Sequence, residues 1–566
     1  MAFFSRLFSN RRPDQGIRLA VLGAVTGILA GLAACLFRFV IEMPFPLLGI
    51  ADNFDHFEAL PTLWLILLPL SGCVLLIVCF RLFPPGSHKL GVTHIIDKAQ
   101  NLKGPPPPEN ALLQFIGAAI ALLSGHSCGR EGPSVHLGAT LGSMLGRRLH
   151  QPNNTNRTLI AAGAAAAIAA SFNTPIAGVI FVMEVILMEY SITEFIPVII
   201  AAVSGTVISQ LFYGDNTVFT MTPISMNTLW ELPWVVFMGL IIGILAAVFI
   251  AIQRYCMSYV SIDISRRLLF IGVLTAISAP FIPEVMGTGY DTINAVLGGE
   301  IDWKFLLILL ACKLVLTAIV LGLGLPGGVI GPSLVLGGIA GAILGYFGNT
   351  VFSSHAASPS FYVLLGMCAM MGAVLQAPLA ALMALLELSN NPELILPAML
   401  IIVVANLTAS EIFGLQSIFR INLAQQGILT PKTLGRILNR FSVNAVLSKD
   451  FITVDATTIR AGKGVLPEIE VQWVIIRDQE NFRLLETSRF KSLFETVNAD
   501  EAISTAIEEG RAMVKISLHA TLNEAMELME SEQLYHGVVL SPLSLGNANV
   551  LGFMNYDDIT AFYRNA

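Results

Sequence analysis

Charge is scarce in this 566-residue chain. Asp, Glu, Lys and Arg make up 13% of it, against 55% hydrophobic residues and a mean hydropathy of +0.73. These values exclude a single soluble domain of ordinary composition and point to a polytopic membrane protein. The net charge is −7 and there is no basic run, so the electrostatic footprint of a nucleic-acid binder is missing. Cysteine is sparse too. Cys35, Cys73, Cys79, Cys128, Cys256, Cys312 and Cys368 form no CxxC pair and show no metal-ligand spacing. That excludes a secreted disulfide scaffold and gives no metal centre to expect. The cysteines read as small apolar residues packed between helices. Neither an HExxH nor a GxSxG pattern is recognised in the apolar part, which sets an intramembrane enzyme aside. A cleavable signal is also lacking: the basic start MAFFSRLFSNRRPDQGIR runs into a long apolar stretch with no small-residue cleavage site. Arg6, Arg11, Arg12 and Arg18 put this end in the cytoplasm by the positive-inside rule. A cytoplasmic tail at the other end then requires an even number of crossings.

The charge that is present is unevenly placed. Residues 1–430 hold 40 charged side chains, whereas the 136 residues of 431–566 hold 31. The expected organisation is a membrane domain over 1–430 and a soluble domain over 431–566. Apolar segments lie near 17–42, 60–82, 110–124, 157–171, 195–213, 232–252, 268–282, 304–323, 359–375 and 392–410. Many fall short of the roughly 20 residues a crossing helix needs, or are interrupted by Gly and Pro. Tilted, broken and re-entrant helices are therefore expected, tolerated where protein or a water-filled cavity satisfies the backbone. The tail alternates strand and helix signals twice and reads as two similar α/β modules of about 60 residues each.

Internal repetition is the most informative signal. GREGPSVHLGATLGSMLG (129–146) resembles GVIGPSLVLGGIAGAILG (328–345). A second pair, TPIAGVIFVMEVILMEYSITEFIPVIIAAV (174–203) and APLAALMALLELSNNPELILPAMLIIVV (377–404), recurs in the same order and matches Pro175 with Pro378 and Glu184 with Glu387. Two homologous halves follow, near 110–215 and 305–412. Such repeats commonly place the substrate site between them.

The chemistry concentrates in GHSCGREGPSVHLG, 125–138. Gly129 and Gly132 let backbone approach a ligand closely, and Pro133 suits the first turn of a helix running from Ser134. A helix N-terminus carries unpaired N–H groups and about half a positive charge, so it binds an anion without a full cation. Glu131 stands just before that helix. Its carboxylate is itself an anion, able to occupy the place of a bound halide and to swing away when protonated. His126 and His136 flank it and are able to tune it near neutral pH, while they and His94 read as packing or pore-lining histidines.

GREGP (129–133) followed by GLPGGVIGP (324–332) resembles the CLC family of chloride channels and proton/chloride exchangers, over about 100–425. The tail resembles the paired CBS domains of many members. The resemblance implies an all-helical membrane domain of two inverted-topology repeats with a C-terminal α/β CBS pair. It implies a homodimer with an anion pathway in each subunit, in a cell (inner) membrane with both termini cytoplasmic. Glu131 matches the family's gating glutamate. The implied anion-binding residues are Gly91, Val92, Gly129, Arg130, Gly132, Gly327, Gly328, Val329, Ile330 and Phe419, with the N–H groups of Val329 and Ile330 facing the ion. Ile330 stands where Phe is usual, and Phe419, in Ser417-Ile418-Phe419, stands where the family has a tyrosine. The first family motif is eroded: Leu90 falls at the coordinating serine, with Ser87 nearby. Exchangers usually carry two successive glutamates, the second accepting protons from inside. Here Glu184 is followed by Val185, which cannot carry a proton and favours passive conduction; proton/chloride antiport by another route is the alternative. Glu184, echoed by Glu387, reads as a helix-end carboxylate. Gly552-Phe553-Met554-Asn555-Tyr556-Asp557-Asp558 resembles the CBS nucleotide motif, with Asp558 as a ribose acceptor for an adenine nucleotide and Asn555 in place of the hydroxyl residue. A dimerising or gating platform without ligand is the plainer reading of the tail. No cofactor and no metal is expected in the membrane domain.

Overall fold

A computed structural model of the chain describes residues 14–47, 55–101, 106–215, 219, 229–298, 301–352, 357–428, 438–439, 441–460, 471–541 and 549–565. Arg6, Arg11 and Arg12, and most of the helical signal between 456 and 470, lie outside these residues. The chain divides into two compact units, one of residues 1–148 and 157–430, the other of 149–156 and 431–566. The short segment Leu149–Asn156 thus groups with the C-terminal unit, a division that composition did not signal.

The first unit is helical. Among the described residues seven helices are long and apolar enough to cross a membrane, among them Gly16–Pro46, Thr62–Leu82, Leu229–Ser261 and Ile330–Val351. Shorter apolar helices accompany them, including Pro108–Leu123, Pro175–Leu187 and Pro359–Leu375. Several begin at proline, which lacks the N–H that a first turn leaves unpaired. Three end in a left-handed residue, Met188 at φ 55°, Gln376 at φ 51° and Asn390 at φ 48°, the conformation that closes a helix on its last carbonyls.

The two halves share one internal packing. A Cβ built on Gly138 would lie 2.3 Å from the Gly163 carbonyl, and one on Gly337 would lie 2.2 Å from that of Gly366. Gly142 meets the Leu159 carbonyl and Gly341 that of Tyr362 in the same manner. Each half therefore docks its anion-motif helix on the next helix through glycine, the close backbone approach typical of helices in lipid. The halves meet antiparallel: Gly129 N–H donates to the Gly328 carbonyl and Gly328 N–H to that of Gly129, both at 2.8 Å. The second repeated motif is also reciprocal. The Glu184 carboxylate accepts from Ala380 N–H at 2.9 Å, and Glu387 accepts from Ile176 and Ala177 N–H at 2.8 and 2.7 Å. Each glutamate thus caps the helix of the opposite half, the helix-end role expected of both. Exchange of identical contacts is what an inverted pair related by a two-fold axis produces. Replacing Glu387 by Gln is expected to cost about 1–2 kcal/mol, since a neutral amide oxygen accepts those N–H groups less strongly. A lower denaturation midpoint in detergent, matched by Glu184→Gln, checks this.

The C-terminal unit is one six-stranded sheet in the order β1 (Phe451–Asp455), β2 (Trp473–Asp478), β3 (Asn481–Glu486), β4 (Arg511–Ser517), β5 (His536–Leu540), β6 (Val550–Asn555). β1 and β2 are parallel and β2 and β3 antiparallel; β4, β5 and β6 repeat that pattern. Helices Ala499–Glu509 and Leu522–Ser531 bury Ile503 and Met529 in two separate cores. Thr521 and Glu524 form a reciprocal capping box that starts the second of these helices. Burial holds the Glu524 carboxyl above its ordinary range despite that bond and those from Asn153 at 2.9 and 3.0 Å.

Candidate anion site

Helix starts build the site. The Glu131–Arg148 helix opens on its glutamate rather than at Ser134 as expected, because Ser134 N–H and Oγ both donate to the Arg130 carbonyl, at 3.1 and 2.9 Å. Its repeat starts at Ile330 and closes its first turn on Val329 through Ser333 N–H. Two further helices start nearby, at Gly91 and at Ile418. Their N-terminal ends converge on a cavity of about 520 Å³ lined by Gly91, Val92, Gly132, Gly327, Gly328, Val329 and Phe419. Seven expected residues thus share one wall. Lys89 and Arg267 also line it, and among the described residues no acidic one lines it. A concave surface of positive helix ends with two cations and no carboxylate concentrates anions.

The structure narrows the donors. The N–H groups of Gly129 and Gly328 are taken by each other's carbonyls rather than by an ion. Gly91, left-handed at φ +78°, donates its N–H to Gln114 Oε1 at 2.8 Å. Gly327 N–H closes on the Leu325 carbonyl at 2.8 Å. Ile330 is buried and outside the cavity lining. Arg130 turns away from the cavity: its Nη1 bonds Glu42 at 2.8 Å, its Nε lies 3.8 Å from Glu131, and its guanidinium stands 5.6 Å over the Tyr290 ring. A buried guanidinium takes the nearest carboxylates, because an unpaired buried charge is costly.

Glu131 is fully buried and does not line the cavity. Its Oε1 accepts a short hydrogen bond from the Tyr290 hydroxyl. Its Oε2 lies in a gap between two glycines: a Cβ on Gly129 would stand 2.6 Å from it and one on Gly331 2.8 Å. The carboxylate therefore sits at the N-terminus of the Ile330 helix, where that helix best stabilises negative charge.

His126 is not aimed at Glu131; it bonds Thr275 Oγ1 at 3.1 Å and faces Cys73 Sγ at 3.3 Å. His136 packs on His94, ring centres 5.3 Å apart. Ser87 is buried close to the cavity lining residue His88, and Leu90 lines the cavity itself. Val185 is buried in the π-helical turn Val182–Leu187, beside Glu184. Asn555 and Asp558 are engaged locally: Asp558 accepts from Asn555 N–H at 3.1 Å, and the Asn555 amide oxygen meets His536 Nδ1 at 2.7 Å. Gly125-His126-Ser127-Cys128-Gly129 spells the nucleophile pattern GxSxG, which sequence reading passed over. The geometry gives it no such chemistry, since Ser127 Oγ pairs with Thr317 Oγ1 at 2.7 Å and His126 is bound elsewhere.

Sequence reasoning also missed Tyr290, Asp55 and Lys313. Asp55 caps the Tyr290–Leu297 helix, accepting from Thr288 N–H at 2.9 Å and Tyr290 N–H at 3.2 Å and closely from Gly289 N–H. Lys313 is fully buried and donates to the carbonyls of Glu284, Val285 and Met286. Lys313 alone had a legible signal: an ionisable residue inside an apolar helix marks a functional region by default.

A helical membrane unit with an acid-free, positively lined cavity between repeated helix starts defines an anion-transport protein of the membrane. The profile described as "Voltage gated chloride channel" matches residues 72–410, and the chain belongs to this family, the CLC family. It is a transport protein, not an enzyme. Its sequence is 27% identical over 410 residues to the H(+)/Cl(−) exchange transporter ClcA of Vibrio campbellii, covering 70% of this chain and 87% of that one. Its fold matches a slow cyanobacterial Cl−/H+ antiporter with TM-score 0.65 at 22% identity, over 72% of this chain and 98% of that one. A eukaryotic CLC transporter matches with TM-score 0.62 at 16% identity, over 96% of this chain and 98% of the other.

Proposed function

We propose that this protein conducts chloride passively through a pathway within each subunit, closed by the ionised Glu131 and opened by its protonation. The supporting observation is the Glu131 carboxylate lodged at a helix N-terminus, next in the chain to Gly132, which lines a positively charged cavity. An anionic side chain there competes with chloride for one electrostatic well. Protonation removes the charge that holds it, so flux rises as pH falls on the side that reaches Glu131. Phe419 narrows the cavity and donates no hydrogen bond, which favours weak ion retention at the inner end. Val185 argues against coupled proton entry, since an isopropyl side chain holds no proton. Two copies are expected to associate, in an inner membrane with both termini cytoplasmic. The C-terminal unit, read as a CBS pair, serves as a gating or dimerising platform; local engagement of Asn555 and Asp558 supports its working without bound nucleotide.

The second reading is proton/chloride antiport, favoured by the named activity of the ClcA relatives. Chloride-loaded liposomes decide between them, with external pH recorded while valinomycin clamps the voltage. Efflux without uphill proton movement supports the passive path. Proton uptake in fixed ratio to efflux overturns it in favour of exchange. Absence of halide flux would overturn both. Tyr290→Phe removes the hydroxyl that bonds Glu131. A hydrogen bond to a charged group is worth about 1.5–3 kcal/mol, so faster efflux at neutral pH with a retained pH response is expected from this variant.

A further inference from the structure

His56, Glu58 and Asp291 belong to none of the machinery described above, yet they converge. Their ligand atoms lie within 4.8 Å of one another, with His56 Nδ1 3.2 Å from Glu58 Oε1 and 3.7 Å from Asp291 Oδ2. Ligands of a tetrahedral zinc ion at about 2.1 Å stand about 3.4 Å apart, and the two separations bracket that spacing. The Asp291 side chain is only 9% exposed and meets that of Glu58, so these two carboxyls need a proton or a cation between them. Two carboxyls in contact beside an imidazole repel when ionised, and a dication removes that repulsion.

Charge strengthens the case. Asp55, Glu58, Glu284 and Asp291 all act electrostatically on Lys313. The Lys313 ammonium itself bonds three carbonyls, so its donors go to these rather than to the acids. One imidazole nitrogen and two carboxylate oxygens leave a fourth position for water, a donor set suited to zinc-class dications and not to calcium or magnesium. His56, with its side chain 42% exposed, opens the site to solvent.

The position gives such an ion a consequence. Asp55 already ties its segment to the start of the Tyr290–Leu297 helix. His56 and Asp291 are the chain neighbours of Asp55 and Tyr290. A metal on both would staple the same junction a second time and hold the Tyr290 hydroxyl on Glu131. We propose that His56, Glu58 and Asp291 form a binding site for a zinc-class divalent cation whose occupancy keeps Glu131 in the closed position. The second half rests on the gating role proposed for Glu131; the first does not.

The test is zinc binding by titration calorimetry to the full-length protein in detergent, beside chloride efflux from liposomes with Zn2+ on both faces. One ion per subunit is expected, with affinity reduced at least about tenfold in His56→Ala and in Glu58→Gln. Zinc should slow wild-type efflux and leave that of His56→Ala unchanged. No binding to wild type, or unchanged affinity in both variants, overturns the site. Binding with unaltered wild-type efflux overturns its link to the gate. Liposomes without chloride efflux in zinc-free buffer would overturn the transport reading instead, and the calorimetry would still decide the site.

Discussion

Glu131→Gln is expected to raise chloride efflux at neutral pH and to flatten its dependence on pH. The amide is nearly isosteric, so the packing against Gly129 and Gly331 is preserved while the charge is lost. The ionised carboxylate is held by the helix N-terminus and by the Tyr290 hydroxyl. Losing one charge-assisted bond of about 1.5–3 kcal/mol shifts a closed–open ratio by about 10- to 100-fold. Acid mimics the same change in the wild type, so the two curves should meet at low pH and diverge as pH rises. Glu131→Ala should behave likewise with a wider path. The check is initial efflux from liposomes across a pH series. An unaltered pH response in both variants would remove Glu131 from the gate.

Gly328→Ala should abolish both folding yield and flux. A Cβ at Gly328 would stand 2.6 Å from Gly132 N and 3.0 Å from the Gly129 carbonyl. Those atoms are backbone, so no side chain can rotate out of the way. Overpacking typically costs about 1–3 kcal/mol even where side chains yield, and here it also parts the bridge that joins the halves. Gly91→Ala is the contrast. A Cβ there meets nothing within 4 Å, although φ is +78°, so the expected penalty is the left-handed strain of about 1–2 kcal/mol. Recovery of monodisperse protein after detergent extraction, followed by efflux per reconstituted subunit, separates the two. Wild-type recovery and flux for Gly328→Ala would show that the halves do not depend on this contact.

Legibility in the sequence followed locality. The paired GREGP and GVIGP motifs announced two helix starts, because glycine and proline act on the turn they occupy. Glu184 and Glu387 were readable as helix-end carboxylates, although each caps a helix of the opposite half about 200 residues away, a partnership no local pattern states. Arg130, read as an anion ligand, is held by Glu42, which belongs to the first long helix. The Gly125–Gly129 stretch shows the reverse: a catalytic spelling without catalytic geometry.

By itself the sequence determined the membrane class, the two-part division, the internal repeat, and the positions at which backbone must approach closely. These depend on hydropathy and on glycine and proline conformations, properties carried residue by residue. Tertiary structure decided which N–H groups remain for an ion, that Tyr290 holds Glu131 across 159 positions, and that Lys89 and Arg267 supply the cavity's cations. Hydrogen-bonding groups within one turn of each other find partners by geometry that the chain dictates. Groups from distant segments find them only once the helices have docked.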